Sequence, residues 1–173
     1  MVIDDEENIL KALSRVLRNQ DGWEFETYVN PHDALKRATT SNFDLFLSDF
    51  RMPEMDGVKL LTQIRYLQPE SMRLILSGYT DLDALIGAIN QAEIYRFIVK
   101  PWQDLELTET IKQALCFRDI QVENRFLADQ LRAQQVELDK RKDLLEKYRD
   151  RHPELFSVEW ADDGSIILED HND

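Results

Sequence analysis

Five side chains able to do chemistry together stand at the ends of short apolar runs. Asp4 and Asp5 follow Val2-Ile3, Asp49 follows Phe43–Ser48, Ser77 closes Arg73–Leu76, and Lys100 follows Tyr95–Val99. Carboxylates gathered in one place repel one another unless a cation sits among them, and oxygen donors of this kind suit a hard ion such as Mg2+. In that setting a carboxylate can accept a phosphoryl group, because metal, hydroxyl and ammonium together neutralise the charge on the transferring oxygens. Taken singly, each of these residues reads as an ordinary capping or solvent-exposed polar group. The chemistry exists only if the fold brings the five together.

The apolar pattern predicts a fold that does so. After the clipped strand Val2-Ile3, the residues Ile9, Leu10, Leu13, Val16 and Leu17 form one helical stripe. Trp23, Phe25 and Thr27 alternate like a half-buried strand, and Pro31 opens a helix carrying Ala34, Leu35 and Ala38. Phe43–Ser48 and Arg73–Ser77 read as strands buried on both faces, with a helix through Val58, Leu60, Leu61 and Ile64 between them. A helix around Leu82–Gln91 and a strand Tyr95–Val99 complete the order. Repeated strand-then-helix units predict a parallel sheet covered on both sides by helices. Ligands of such sheets bind at the carboxyl edge, which is where Asp4, Asp5, Asp49, Ser77 and Lys100 fall.

From Trp102 to His152 the chain has neither Pro nor Gly and is rich in strong helix formers, so it reads as one helix roughly 75 Å long. Steps of three and four residues along it select Phe117, Ile120, Asn124, Leu127, Leu131, Gln134, Leu138, Arg141, Leu145 and Tyr148. A parallel coiled-coil homodimer through residues 117–148 would bury this row, with Asn124 a buried register-setter and Gln134 and Arg141 weakening the seam. A solvated, charged helix is the alternative. Beyond Pro153, the alternation of Phe156, Val158 and Trp160, then Asp163-Gly164, then Ile166 and Leu168 predicts a β-hairpin. Three segments result: residues 1–118, a helical extension 119–151, and an acidic tail 152–173.

Val2-Ile3-Asp4-Asp5-Glu6, Leu47-Ser48-Asp49-Phe50-Arg51-Met52-Pro53-Glu54-Met55-Asp56-Gly57, Leu76-Ser77-Gly78 and Phe97-Ile98-Val99-Lys100-Pro101 together resemble the receiver domain of two-component response regulators. The resemblance covers residues 1–118 and implies a flavodoxin-like, five-stranded, doubly wound α/β fold. It implies that Asp49 accepts phosphoryl from a histidine kinase or histidine phosphotransfer protein. Asp4, Asp5, Asp49 and the backbone carbonyl of Arg51 would bind Mg2+, Lys100 would pair with the phosphoryl group, and Ser77 and Phe97 would be the switch hydroxyl and switch aromatic. Pro101 would follow a cis bond. Arg51 and Tyr79, two residues after Asp49 and Ser77, would shield the acyl phosphate from water. Lys100-Pro101-Trp102 is similar to receivers attached to HD-GYP phosphodiesterases and to hydrogenase-type regulators, while Trp102 also reads as a core residue at the root of the long helix.

Composition narrows the remaining classes. The 173 residues carry 34 acidic against 21 basic side chains, a net charge of −13, which argues against nonspecific binding to nucleic acid or anionic membrane. No apolar run approaches a membrane span, the start is acidic where a signal peptide is basic, and the single cysteine excludes an internal disulfide framework, so a cytoplasmic protein is expected. Cys116 is expected on the buried side of its helix, and His32, His152 and His171 are scattered surface residues. Two further readings stand beside a phosphorylation switch that acts by dimerisation or partner binding. One is the receiver part of a longer regulator with a phosphodiesterase or DNA-binding output; the other is a haloacid-dehalogenase-like phosphatase, against which the adjacent Asp4-Asp5 pair and the lack of a cap insertion both argue.

Overall fold

The computed structural model describes residues 1–78 and 92–153. The expected helix at 82–91, Tyr79 and the hairpin within 152–173 lie outside the described residues, apart from His152 and Pro153. The elements are β1 (Val2–Ile3), α1 (Glu7–Leu17), β2 (Thr27–Tyr28), α2 (Pro31–Ala38), β3 (Leu45–Asp49), α3 (Gly57–Leu67), β4 (Met72–Ser77), β5 (Arg96–Val99) and α4 (Asp104–Arg151). The five strands form one parallel sheet in the order β2-β1-β3-β4-β5. This is the flavodoxin-like, doubly wound α/β sheet that the strand-helix alternation predicts.

Each face of the sheet has its own core, which explains why β3 and β4 read as continuous apolar runs. On one face Ile3, Phe46 and Ile75 meet Ala34 and Ala38 of α2 and Val58, Leu60, Leu61 and Ile64 of α3. On the other, Val2, Leu47, Leu74, Leu76 and Ile98 meet Leu10, Leu13, Val16 and Leu17 of α1 and Leu107, Ile111 and Ala114 of α4. Helix starts are fixed locally. Asn30 accepts the His32 N–H at 2.7 Å ahead of Pro31, and Asp56 accepts the Lys59 N–H at 2.8 Å ahead of Gly57.

Two expectations need correction. Trp23 and Phe25 are not strand residues; they pack half-buried against the α1–α4 core from an irregular segment, and only Thr27 and Tyr28 pair with the sheet. The neighbour β1 has only two residues, so it offers no longer ladder. Cys116 is exposed, because the buried face of α4 runs through Leu107, Ile111 and Ala114, and two further residues carry Cys116 about 200° round the helix.

The chain divides into two units, Met1–Asn124 and Arg125–Asp173. The first holds the sheet and its helices; the second includes the remainder of α4. Among the described residues no helix is long and apolar enough to cross a membrane.

Two stability predictions follow from particular contacts. Arg37 forks onto Glu26 through Nη2 at 2.8 Å and Nε at 3.0 Å, and the Tyr28 hydroxyl donates to the same carboxylate at 2.7 Å. These bonds, Arg37 first, hold the Glu26 carboxyl down to about 2 from its ordinary 4.5. The unfolded chain then binds the proton more readily than the folded one between those values. Wild type should therefore be more stable than Glu26→Gln above pH about 5 and lose that margin as pH falls toward about 2, read by urea unfolding across the range.

The second concerns Gly57, where a Cβ would lie 2.1 Å from the Asp49 carbonyl oxygen and 2.9 Å from Ser48 Oγ. Only glycine lets α3 begin this close to the end of β3. Gly57→Ala should cost about 1–3 kcal/mol in urea unfolding, the usual penalty of overpacking.

Candidate functional site

The strand registers deliver the site. Ile3 pairs with Ser48, which sets Asp4 beside Asp49 at the ends of β1 and β3, and Asp49 pairs with Leu76, which sets Ser77 one residue further along β4. Ser77 pairs with Val99, and the Lys100 N–H donates to the Ser77 carbonyl at 2.7 Å, so β5 hands Lys100 to the same edge. The Lys100–Pro101 peptide is cis, and Trp102 packs half-buried on the α1–α4 core at the root of α4. Asp49, Phe50 and the turn to α3 close through Glu54, whose backbone is left-handed at φ 68°.

Lys100 Nζ bridges two carboxylates, bonding Asp4 Oδ2 at 2.7 Å and Asp49 Oδ1 at 2.5 Å. Asp4 is fully buried, and its Oδ1 accepts the Glu6 N–H at 2.9 Å. Asp49 is 6% exposed and its Oδ2 accepts the Arg51 N–H at 2.8 Å. Burial pushes the Asp49 carboxyl above its ordinary range, and the bond from Lys100 only partly opposes this. Burial also disfavours the Lys100 ammonium, but the bonds to Asp4 and Asp49 outweigh that and raise it.

Ser77 is 1% exposed, and its Oγ is buried with no hydrogen-bond partner among the described residues. A hydroxyl in that state is suited to receive an oxygen delivered to Asp49 next door. Phe97 lies on β5, which among the described residues pairs only with β4, and is 38% exposed.

Not every expected residue converges. Among the described residues no three Asp, Glu, His or Cys side chains come together closely enough to hold a metal, and Asp5 is exposed. Asp4 and Asp49 are together; Asp5 is not gathered with them, because Asp4 and Asp5 are adjacent and the first turns inward to Lys100. The donor set still suits a hard cation. Two buried carboxylates share a single ammonium, leaving negative charge uncompensated, and every available donor there is oxygen. Asp4, Asp49, the Arg51 carbonyl and a reoriented Asp5 are the groups that would hold it.

The sequence reading missed two contributors. Gly57 is needed for α3 to abut the Asp49 carbonyl, and Ser48 Oγ donates to that same carbonyl at 2.9 Å. A glycine opening a helix directly after a Pro-containing turn was the available signal for the first. Nothing in the residue pattern marks the second.

Residues 1–112 match the response regulator receiver domain family. The chain is 39% identical over 123 residues to the hydrogenase transcriptional regulatory protein HoxA of Bradyrhizobium diazoefficiens, covering 71% of this chain and 25% of that protein. It is 32% identical over 114 residues to the DNA-binding transcriptional regulator NtrC of Klebsiella pneumoniae, covering 66% and 24%. Among solved structures, the signal receiver domain of an HD domain-containing protein from Pseudomonas fluorescens Pf-5 is 34% identical with a TM-score of 0.67, covering 70% of this chain and 89% of that one. The chain thus spans about a quarter of the length of these curated relatives. With the sheet order, the acidic edge and the family match in agreement, the chain belongs to the response regulator receiver domain family.

Proposed function

We propose that this protein is a phosphorylation switch of a two-component phosphorelay, with Asp49 as the phosphoacceptor. The observation that carries the reading is the Asp4–Lys100–Asp49 bridge beside the unpartnered Ser77 hydroxyl. An Asp49 carboxylate oxygen attacks phosphorus of a phosphohistidine in a histidine kinase or phosphotransfer protein. An acyl phosphate P–O bond forms, the P–N bond breaks, and the imidazole leaves with the bonding pair. Mg2+, held by Asp4, Asp5, Asp49 and the Arg51 carbonyl, would supply charge neutralisation. Lys100 moves its bond from the Asp49 carboxylate to a phosphoryl oxygen, and Ser77 Oγ donates to another. Drawing Ser77 toward the phosphoryl group opens space into which Phe97 turns, a two-state change driven by a local charge.

The output is homodimerisation or partner binding through α4. The apolar members of its three-four row, Phe117, Ile120, Leu127, Leu131, Leu138, Leu145 and Tyr148, are between 43% and 66% exposed, more contiguous apolar surface than a solitary helix carries without a partner. In a parallel pair Glu137 of one helix would stand across from Lys142 of the other, an opposite-charge pair flanking the seam that favours a second copy of this helix as the partner, although Gln134 and Arg141 weaken the seam itself. A companion reading, favoured by the relatives' greater length, is that the receiver serves a phosphodiesterase or DNA-binding output outside the residues considered; in either case the setting is cytoplasmic.

Incubation with acetyl phosphate and Mg2+, read by intact mass, should add one phosphoryl group to wild type and none to Asp49→Asn. No increment where a control receiver labels fully would overturn the phosphoacceptor reading. Once labelled, an Arg51→Asn, Tyr79→Ala double variant should lose the phosphoryl group faster than wild type, by about tenfold if the two side chains exclude water as the reading requires. An unchanged half-life would remove that shielding role.

A further inference from the structure

The buried stripe of α4 ends where its exposed row begins. Leu107, Ile111 and Ala114 are buried in the core, and Phe117, three residues on, is the first member of the exposed row. Phe117 is not free, because its ring lies 5.5 Å from that of Tyr95, tilted by 30°. Tyr95 immediately precedes β5, its N–H bonded to the Arg73 carbonyl at 2.8 Å, and stands two residues before Phe97. The contact is braced from outside: the Arg96 guanidinium sits 5.7 Å from the centre of the Tyr95 ring and donates to Gln113 of α4 at 3.1 Å. One ring contact therefore ties the residue just before the strand that carries Phe97 to the first member of the row that a second copy of this chain would cover.

We propose that the Tyr95–Phe117 contact is the relay between phosphorylation and assembly: it holds Phe117 against β5 in the unphosphorylated chain and releases it to a second copy when β5 adjusts. This rests on the phosphoacceptor and homodimer reading above. β5 is an edge strand of the sheet, paired among the described residues only with β4, so only one neighbouring strand holds it in place. When Phe97 turns inward, β5 moves and Tyr95 moves with it. Phe117 then packs in the first layer of the paired helices, and the dimer tightens. The aromatic pair is of the size that makes such a toggle effective, since ring contacts contribute beyond simple area burial.

The test is the dimer dissociation constant of the full chain by sedimentation equilibrium, with and without acetyl phosphate and Mg2+, with phosphorylation followed by intact mass on the same samples. Wild type should dimerise about tenfold more tightly when phosphorylated, within the usual range of coupling between sites. Tyr95→Ala should dimerise as tightly unphosphorylated as wild type does phosphorylated, and gain less than about twofold on phosphorylation. Phe117→Leu keeps an apolar side chain in the layer without the ring contact and should behave the same way, while Tyr95→Phe should keep the wild-type response. Should either Tyr95→Ala or Phe117→Leu be folded by circular dichroism and retain the full wild-type dependence, the relay is wrong. Wild type that labels and dimerises with no difference between the two states overturns the relay and leaves the switch chemistry and the dimer standing. A chain that labels but stays monomeric overturns the homodimer reading together with the relay, and one that does not label removes the phosphoacceptor reading beneath both.

Discussion

A single ammonium holds two buried carboxylates from different strands, and the carboxyl edge is arranged around it. Lys100 ends β5, yet it bonds Asp49 at the end of β3 and Asp4 after β1, so its stem passes the end of β4. β4 ends there in Ser77, a small residue, and Gly78 follows it. Burying charges of one sign side by side is unfavourable by several kcal/mol per ion unless they are paired, so Asp4 and Asp49 are held in place only while Lys100 stands between them. Burial pushes the Asp49 carboxyl up, and the bond from Lys100 offsets this only in part. The site thus combines positions fixed by strand ends with unbalanced charge, a condition that, on the proposed reading, suits it to a cation and then a phosphoryl group.

The rest of the fold keeps those positions. Both faces of the sheet are sealed, so a strand cannot slide without exposing one apolar set and burying another. Phe46 and Leu47 illustrate this: adjacent on β3, both fully buried, they enter opposite cores. Precision at the edge also depends on close approach from above, where the amino end of α3 rests against the Asp49 carbonyl by virtue of Gly57. The functional side chains stand at strand ends, and Phe97 lies beside them on β5, an edge strand of the sheet.

How much of this was legible in the sequence depends on the scale of the interaction. The strand-helix order, both cores and the placement of Asp4, Asp49, Ser77 and Lys100 are readable because burial on two faces writes continuous apolar runs, and a polar residue ending such a run has few places to go. The misreadings arose where a neighbour decides. Trp23 and Phe25 alternate like a strand, but β1 is too short to pair with them. Cys116 sits among apolar residues in the chain, yet the helical phase that matters is set by Leu107, Ile111 and Ala114 against the sheet. Exposure too is set by the local path of the chain: Asp5 has the same type and nearly the same place as Asp4, and only the path of the backbone after Ile3 separates a buried carboxylate from an exposed one. Gly57 shows the converse: a glycine opening a helix after a Pro-containing turn marks the position, but the role is a distance to another segment's backbone, which the sequence does not state.

On the proposed reading, the Ser77 hydroxyl, without a hydrogen-bond partner among the described residues, gives the switch its energetic meaning. A buried polar group left without a hydrogen bond costs about 1–3 kcal/mol, which on that reading is the scale of what a new bond at Ser77 Oγ can contribute. A phosphoryl group on Asp49 accepts that bond only in the arrangement that brings Ser77 to the phosphoryl oxygen, so it binds one conformation better than the other by about that amount. A local modification can shift a distant equilibrium by no more than such a difference. One to three kcal/mol corresponds to roughly five- to 150-fold, the ordinary span of coupling between two sites. On the proposed reading, the free energy that reaches β5 and the root of α4 is set at Ser77, and the contacts beyond it need only transmit it.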